Sequence, residues 1–235
     1  MGILRVISNS SEPFSGRIEA GQALARELLV GAVREQPLQK AVVLGIPRGG
    51  VIIANEIASV LEADLDMVLA HKLGAPGNPE LAIGAVCEDG TLFADEKIVS
   101  YVGADESYIE QEKTRQLHEI ARRVEKYREV LPKLALEGKV VIVTDDGVAT
   151  GATMQAALWA VRQERPEKIV AALPVGPADT IRKLSEDADE TICLRTPPFF
   201  SAIGQFYVRF NQVEDDELLE ILEQQRQRRE NKAER

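Results

Sequence analysis

The chain is short of positive charge: 28 Lys and Arg stand against 38 Asp and Glu, a formal charge of −10. Nucleic-acid and anionic-membrane surfaces need clustered cations, so neither is expected as a partner. Cysteine is scarce, with only Cys87 and Cys193, far apart and in no CxxC pair, and the histidines are His71 and His118 alone. That set builds no structural zinc cluster and is what two buried, reduced thiols in a cytoplasmic protein look like. No run approaches the roughly 18 apolar residues of a membrane span. The opening MGILRVISNSSEPFSGR lacks the apolar core and basic flank of a signal peptide. There is no internal repeat and no Gly/Ser-rich linker. Two common phosphate loops are missing too: GxGxxG occurs nowhere, and no lysine follows Gly151 to complete a P-loop.

What is there reads as one sizeable α/β unit. The 235 residues are 45% hydrophobic and 28% charged, an ordinary soluble composition. Ala20, Leu24 and Leu28 recur at four-residue steps, predicting an amphipathic helix from Ile18 to about Arg34. AVVLGI (41–46), KVVIVT (139–144), KIVAALPV (168–175) and ETICLRTP (190–197) are short apolar runs of the kind buried on both faces of a sheet. A further strand is expected near Leu65–Ala70, ending at His71 and Lys72, and helices are expected after PRGG and after TG at 150–151. GAPGNPE reads as a loop with glycine hinges, the stretch after it as a short strand or hairpin. Leu117, Ile120, Val124, Tyr127 and Leu131 form one apolar stripe on a long charged helix over 104–131, to be packed on the body or on a sister subunit. The tail is predicted to begin as a helix and to fray over its last ten or so residues. The order βαβ…βαβαβ predicts an open, mostly parallel sheet with helices on both faces.

The stretch VVIVTDDGVATGAT carries the chemistry. A strand runs straight into two carboxylates, Asp145 and Asp146; two ionised carboxylates about 5–6 Å apart repel by roughly 3 kcal/mol at an effective dielectric near 20. A mere turn has no need of that. Ligands of open α/β sheets bind beyond the carboxyl ends of the strands, where this pair stands. Thr150, Gly151, Ala152 and Thr153 then open a helix whose free N–H groups favour an anion. Gly147 and Gly151 allow close backbone approach. A phosphate cradle beside two hydroxyl-accepting carboxylates suits a sugar phosphate. In PRGG, Arg48 offers a planar fork to phosphate oxygens, and Gly49 and Gly50 are expected to expose N–H groups at a helix start.

VVIVTDDGVATGAT resembles the 5-phosphoribosyl-1-pyrophosphate (PRPP) signature of the type I phosphoribosyltransferases. PRGG, KLGAPGNPELAIGAV and TPPFFSAIGQFYVRF resemble, in order, further segments of a bacterial branch of that family. The resemblance implies a phosphoribosyltransferase-like domain over 15–212, with a helical insertion at about 97–135, a small hood at about 190–212, and a C-terminal helix and charged tail over 213–235. It assigns Asp145 and Asp146 to the ribose hydroxyls and, through water, to Mg²⁺. It assigns Ala149, Thr150, Gly151, Ala152 and Thr153, with Gly147, to the 5′-phosphate, and Arg48, Gly49, Gly50 and Lys72 to the pyrophosphate. Glu80, in the loop, is a candidate for orienting groups in a closed site. Phe199, Phe200 or Tyr207 is a candidate platform for a flat acceptor.

The activity so implied is Mg²⁺-dependent transfer of the phosphoribosyl group to a nitrogenous acceptor, by a homodimer. A sensor of PRPP or a nucleotide on the same fold is the alternative. A hydrolase using Asp145 as nucleophile is a third reading, which the DDGVATG spacing does not favour.

Overall fold

The computed structural model describes residues 2–30 and 41–233. The continuous apolar runs form the centre of the molecule because strands covered on both faces have no polar side to keep wet. In chain order the elements are β1 (Ile3–Ser8), α1 (Arg17–Val30), β2 (Ala41–Gly45), α2 (Gly49–Leu61), β3 (Asp64–Met67), β4 (Ala70–Ala75), β5 (Asn78–Cys87), β6 (Leu92–Ala94), α3 (Glu96–Val102), α4 (Glu106–Arg128), β7 (Val140–Thr144), α5 (Ala152–Gln163), β8 (Lys168–Val175), α6 (Ala178–Leu184), β9 (Glu190–Arg195) and α7 (Asp215–Ala233). Six strands form a parallel sheet in the order β1-β9-β8-β7-β2-β3. Alternate residues separate the two faces. Val43, Ile142, Val170 and Ile192 pack under α1 and α2, whereas Val42, Leu44, Val141 and Val143 pack under α5 and α6. The expected open α/β sheet with helices on both faces is present.

Several features differ from the sequence reading. β1 was not foreseen; it is an edge strand with Ile3, Leu4, Val6 and Ile7 exposed, so no buried face marks it. The strand expected at Leu65–Ala70 is two strands of different sheets. β3 stops at Met67, and His71 and Lys72 lie inside β4, which pairs antiparallel with β5. GAPGNPE is accordingly not an open loop but the two strand ends of a hairpin, with Gly77 at φ 74° in its turn and Gly74 O accepting a hydrogen bond from the Tyr108 hydroxyl. The side chain of Glu80 and the end of the predicted first helix, 31–34, lie outside the described residues. The tail, expected to fray, is helical to Ala233, since Arg229 donates to the carbonyls of Pro132 and Leu65 and Lys232 reaches Asp64.

The small sheet β4-β5-β6 lies across α5: Ala85 and Phe93 meet Ala156 and Trp159, the two rings 4.6 Å apart. The stripe on α4 faces inward, Ile120 and Tyr127 together with Leu131 packing on Met67 and on Leu218 and Leu222 of α7. The body of the same chain therefore covers it.

Beneath that layer, Asp66, 1% exposed, accepts from Arg128 and from the Leu134 amide, and Arg128 also pairs with Glu88. Removing one partner from a buried ion pair strands the other charge, typically at a cost of about 3–5 kcal/mol. Arg128→Ala should therefore lower unfolding stability by roughly that amount in urea titration, and a loss below about 1 kcal/mol would show that water already shields Asp66.

Candidate active site

β7 carries five buried residues, VVIVT, and delivers the chain to Asp145 at the carboxyl end of the sheet. The Asp146 amide donates to Asp145 Oδ1 at 2.8 Å, which turns the first carboxylate back over the strand end. The second is held from elsewhere. Arg17, at the start of α1, places Nε and Nη2 each 2.8 Å from Asp146 Oδ2, with both side chains mostly buried. The same guanidinium donates to Asn211 O at 2.9 Å and lies 4.1 Å from the centre of the Phe210 ring. Arg17 was not among the residues read from the sequence.

Burial, and then the neighbouring charge of Asp146, hold the Asp145 carboxyl well above the usual carboxylate range. Burial raises the Asp146 carboxyl as well, while Arg17 opposes it. The site thus holds latent negative charge that a cationic or hydroxyl-rich ligand would release.

Gly49 and Gly50 sit directly behind this pair. A Cβ on Gly49 would overlap Asp146 Oδ2, and one on Gly50 would lie 2.8 Å from Thr144 O and 3.0 Å from Asp145 Oδ1. Their use is close approach. The exposed N–H expected of Gly50 is absent, because that group donates to Ile46 O at 3.0 Å in the turn entering α2. Arg48 precedes α2 and directs Nη1 toward Asp215 at 3.5 Å.

On the other side of the carboxylates, Gly147 to Met154 line a cavity of about 190 Å³, with Asp145 and Ile203 completing it. The Val148 amide donates to Val175 O, and the Thr180 hydroxyl donates to Ala149 O, so the loop is pinned to β8 and α6. Gly151, at φ 81°, is the N-cap of α5 and no side chain caps it, leaving the helix amides to face the cavity. Ala149, Thr150 and Thr153 are exposed on its wall. The predicted cradle and the predicted carboxylate pair are contiguous.

Lys72 is half-buried in β4, and beside it His71 Nδ1 is 3.0 Å from Gln116 Oε1 of α4, with burial lowering the imidazole's affinity for a proton. The hood segment folds back over the site through a short 3₁₀ turn, Ile203–Phe206. Tyr207, expected as a candidate platform, is reassigned: it is 5% exposed, stacked on Phe210 at 4.9 Å, in tilted contact with Phe14, and its hydroxyl donates to Asp146 O at 2.6 Å. No face is left for a ligand. Phe200 packs on Phe206, and Phe199 is 84% exposed.

A metal held here would take few ligands from the protein. Among the described residues no group of three or more His, Cys, Asp or Glu side chains is disposed to bind one. Two carboxylates acting through water, with substrate oxygens supplying the rest, is the donor set that suits Mg²⁺. No helix among the described residues is long and apolar enough to cross a membrane.

The family model described as "Phosphoribosyl transferase domain" matches residues 15–211. Two proteins of Mycobacterium tuberculosis, from strains CDC 1551 and H37Rv and each named provisionally as a phosphoribosyl transferase, are 40% identical over 210 residues. Those residues are 89% of this chain and 46% of theirs, so the chain spans about half the length of the curated relatives it matches. The crystal structure of a Thermus thermophilus protein, TT1426, superposes with a TM-score of 0.84 at 44% identity, covering 90% of this chain and 98% of that one.

Because the folded pKa of Asp145 is raised, its ionisation disfavours the folded state. The penalty is absent below about pH 4, the ordinary aspartate range, and grows as pH rises through the folded pKa. Asp145→Asn should therefore melt above the wild type at pH 8, with the gap closing toward pH 4; a variant that melts lower at pH 8 would show the carboxylate to be stabilising.

Proposed function

We propose, since this chain belongs to the phosphoribosyltransferase family, that it transfers the 5-phosphoribosyl group of PRPP to a nitrogenous acceptor, a nucleobase in the first instance, and releases pyrophosphate. The observation that supports this reading is the carboxylate pair at the end of β7, with the uncapped start of α5 on one side and the Gly49–Gly50 backbone on the other. In this reading a phosphorylated furanose puts its hydroxyls on Asp145 and Asp146, its 5′-phosphate on the amides and hydroxyls of 149–153, and its C1 substituent toward α2.

In the reaction the bond from C1 to pyrophosphate oxygen breaks and a bond from C1 to the acceptor nitrogen forms. The bonding pair leaves with pyrophosphate, and the proton of the acceptor nitrogen passes to solvent. The ring gains positive charge on the way, as in glycoside cleavage. Asp145 and Asp146 lie where that charge develops and hold the sugar by its hydroxyls. Arg48 and Lys72 offset the charge of the leaving group, and Tyr207 and Arg17 keep Asp146 in place from behind. Asp145 and Asp146 fit a water-bridged Mg²⁺, which when bound supplies further charge neutralisation for the pyrophosphate. No covalent intermediate is required. Phe199 and Phe200 remain the candidates for contact with the acceptor, and a cytoplasmic homodimer completes the proposal.

Incubation with Mg²⁺, PRPP and a panel of purine and pyrimidine bases, following pyrophosphate release, is the direct test. Release with one base is expected, and the double variant Asp145→Asn, Asp146→Asn should abolish it while remaining folded. PRPP binding with no release from any base would instead make the protein a sensor.

A further inference from the structure

The molecule contains a cation-lined cleft, separate from the cradle at the start of α5, which no cation lines. It lies between the entrance to α2, the C-terminal half of α4 and the start of α7, and encloses about 720 Å³. Three cations line it, Arg48, Arg123 and Lys126. Its carboxylates are Glu125, Glu129 and Asp215. Asp215 receives hydrogen bonds from Lys126 Nζ and the Tyr127 hydroxyl, both at 2.8 Å, and faces Arg48 Nη1 at 3.5 Å. Tyr127 is 1% exposed, so its hydroxyl is fixed by the packing beneath it, whereas Lys126, Arg48 and Asp215 are accessible from the cleft.

A lysine, an arginine and a rigid hydroxyl converging on a single pair of oxygens form the donor set that recognises a phosphoryl group. Here an aspartate of the same chain fills it. Without Asp215, the cations would face Glu125 and Glu129 in the cleft, and Arg48 would keep Glu214 at 3.9 Å. Asp215 also satisfies the hydroxyl of the buried Tyr127, but the dipole of α7 does not depend on it, since Asp216 and Glu217 supply acid to the same first turn.

We infer that this cleft is a phosphoanion site, that Lys126, Arg123 and Tyr127 of α4 extend the Arg48 end of the active site into it, and that Asp215 is a resident anion which the terminal phosphate of a pyrophosphate group displaces. The inference rests on the reading of Arg48 as a pyrophosphate contact. It gives the helical insertion a part in substrate binding. It also makes the Asp215 side chain a stopper on a fixed wall, because its carboxylate must turn away before the phosphate enters.

The test is calorimetric titration with inorganic pyrophosphate of the full chain and two variants, Asp215→Asn and Lys126→Gln. Loss of one charged hydrogen-bonding partner corresponds to a change on the order of tenfold in affinity. Asp215→Asn, which removes the competitor, should tighten pyrophosphate by about that factor, and Lys126→Gln should weaken it by a similar one. Both should leave the affinity for ribose 5-phosphate unchanged. Lys126 is on the solvent side of α4, so its variant decides the matter if Asp215→Asn folds poorly. Parallel titrations with inorganic phosphate and with succinate separate a phosphoryl site from a general anion site. A gain with succinate alone overturns the proposal, as does wild-type protein that binds no pyrophosphate. Pyrophosphate affinity unmoved by Lys126→Gln, in a protein that does turn over PRPP, removes the cleft and leaves the transferase standing. The expected shifts in a protein that never turns over PRPP do the reverse.

Discussion

One guanidinium holds the candidate site together. Arg17 closes on a single oxygen of Asp146 and, with its remaining nitrogen and its face, takes the Asn211 carbonyl and the Phe210 ring. Without that cation, two adjacent buried carboxylates would have only hydrogen bonds to offset their repulsion, and the second would turn toward water. With it, the start of α1, the end of β7 and the hood meet at one atom. Gly49 then fits against the carboxylate because it has no Cβ to displace it. The parallel sheet supplies the position, and Arg17 opposes the effect of burial on Asp146.

A second buried ion group plays the same part at the β3 edge of the sheet. Asp66, Glu88 and Arg128 join β3, the end of β5 and the end of α4, and Arg229 of α7 approaches Asp66 at 3.8 Å. These contacts fix α4 and α7 relative to the sheet, and so fix the walls of the cleft around Asp215. Specific polar geometry in an otherwise apolar layer selects one packing of two long charged helices over others.

Much of this was legible in the sequence where one physical effect dominates. β7, α5 and β8 run as the apolar periodicities predict, because full burial and helical spacing leave strong local patterns. The two acids and the TGAT segment were legible because their clustering has no cheap structural explanation. What escaped depends on distance along the chain. Arg17 and Asp146 are 129 positions apart, and nothing near Arg17 marks it as anything but a solvated helix start. Glycine and proline in GAPGNPE mimic a loop, yet cross-strand pairing of Gly74 with Ala82 and of Ala75 with Asn78 overrides them. The charged end of α7 looks free until Leu65 O and Pro132 O are brought beneath Arg229. Tyr207 looked like a ligand surface because aromatic clusters in a sequence carry no sign of which ring is covered.

The contact between the small sheet and α5 has a mechanical consequence. That helix carries the bare amides of the cradle at its tip, while its flank, at Ala156 and Trp159, is clamped by Ala85 and Phe93. Its other face is buried on the main sheet through Met154, Leu158 and Val161. Because the clamping hairpin also bears Lys72, one packed layer sets the position of that lysine and of the helix tip together.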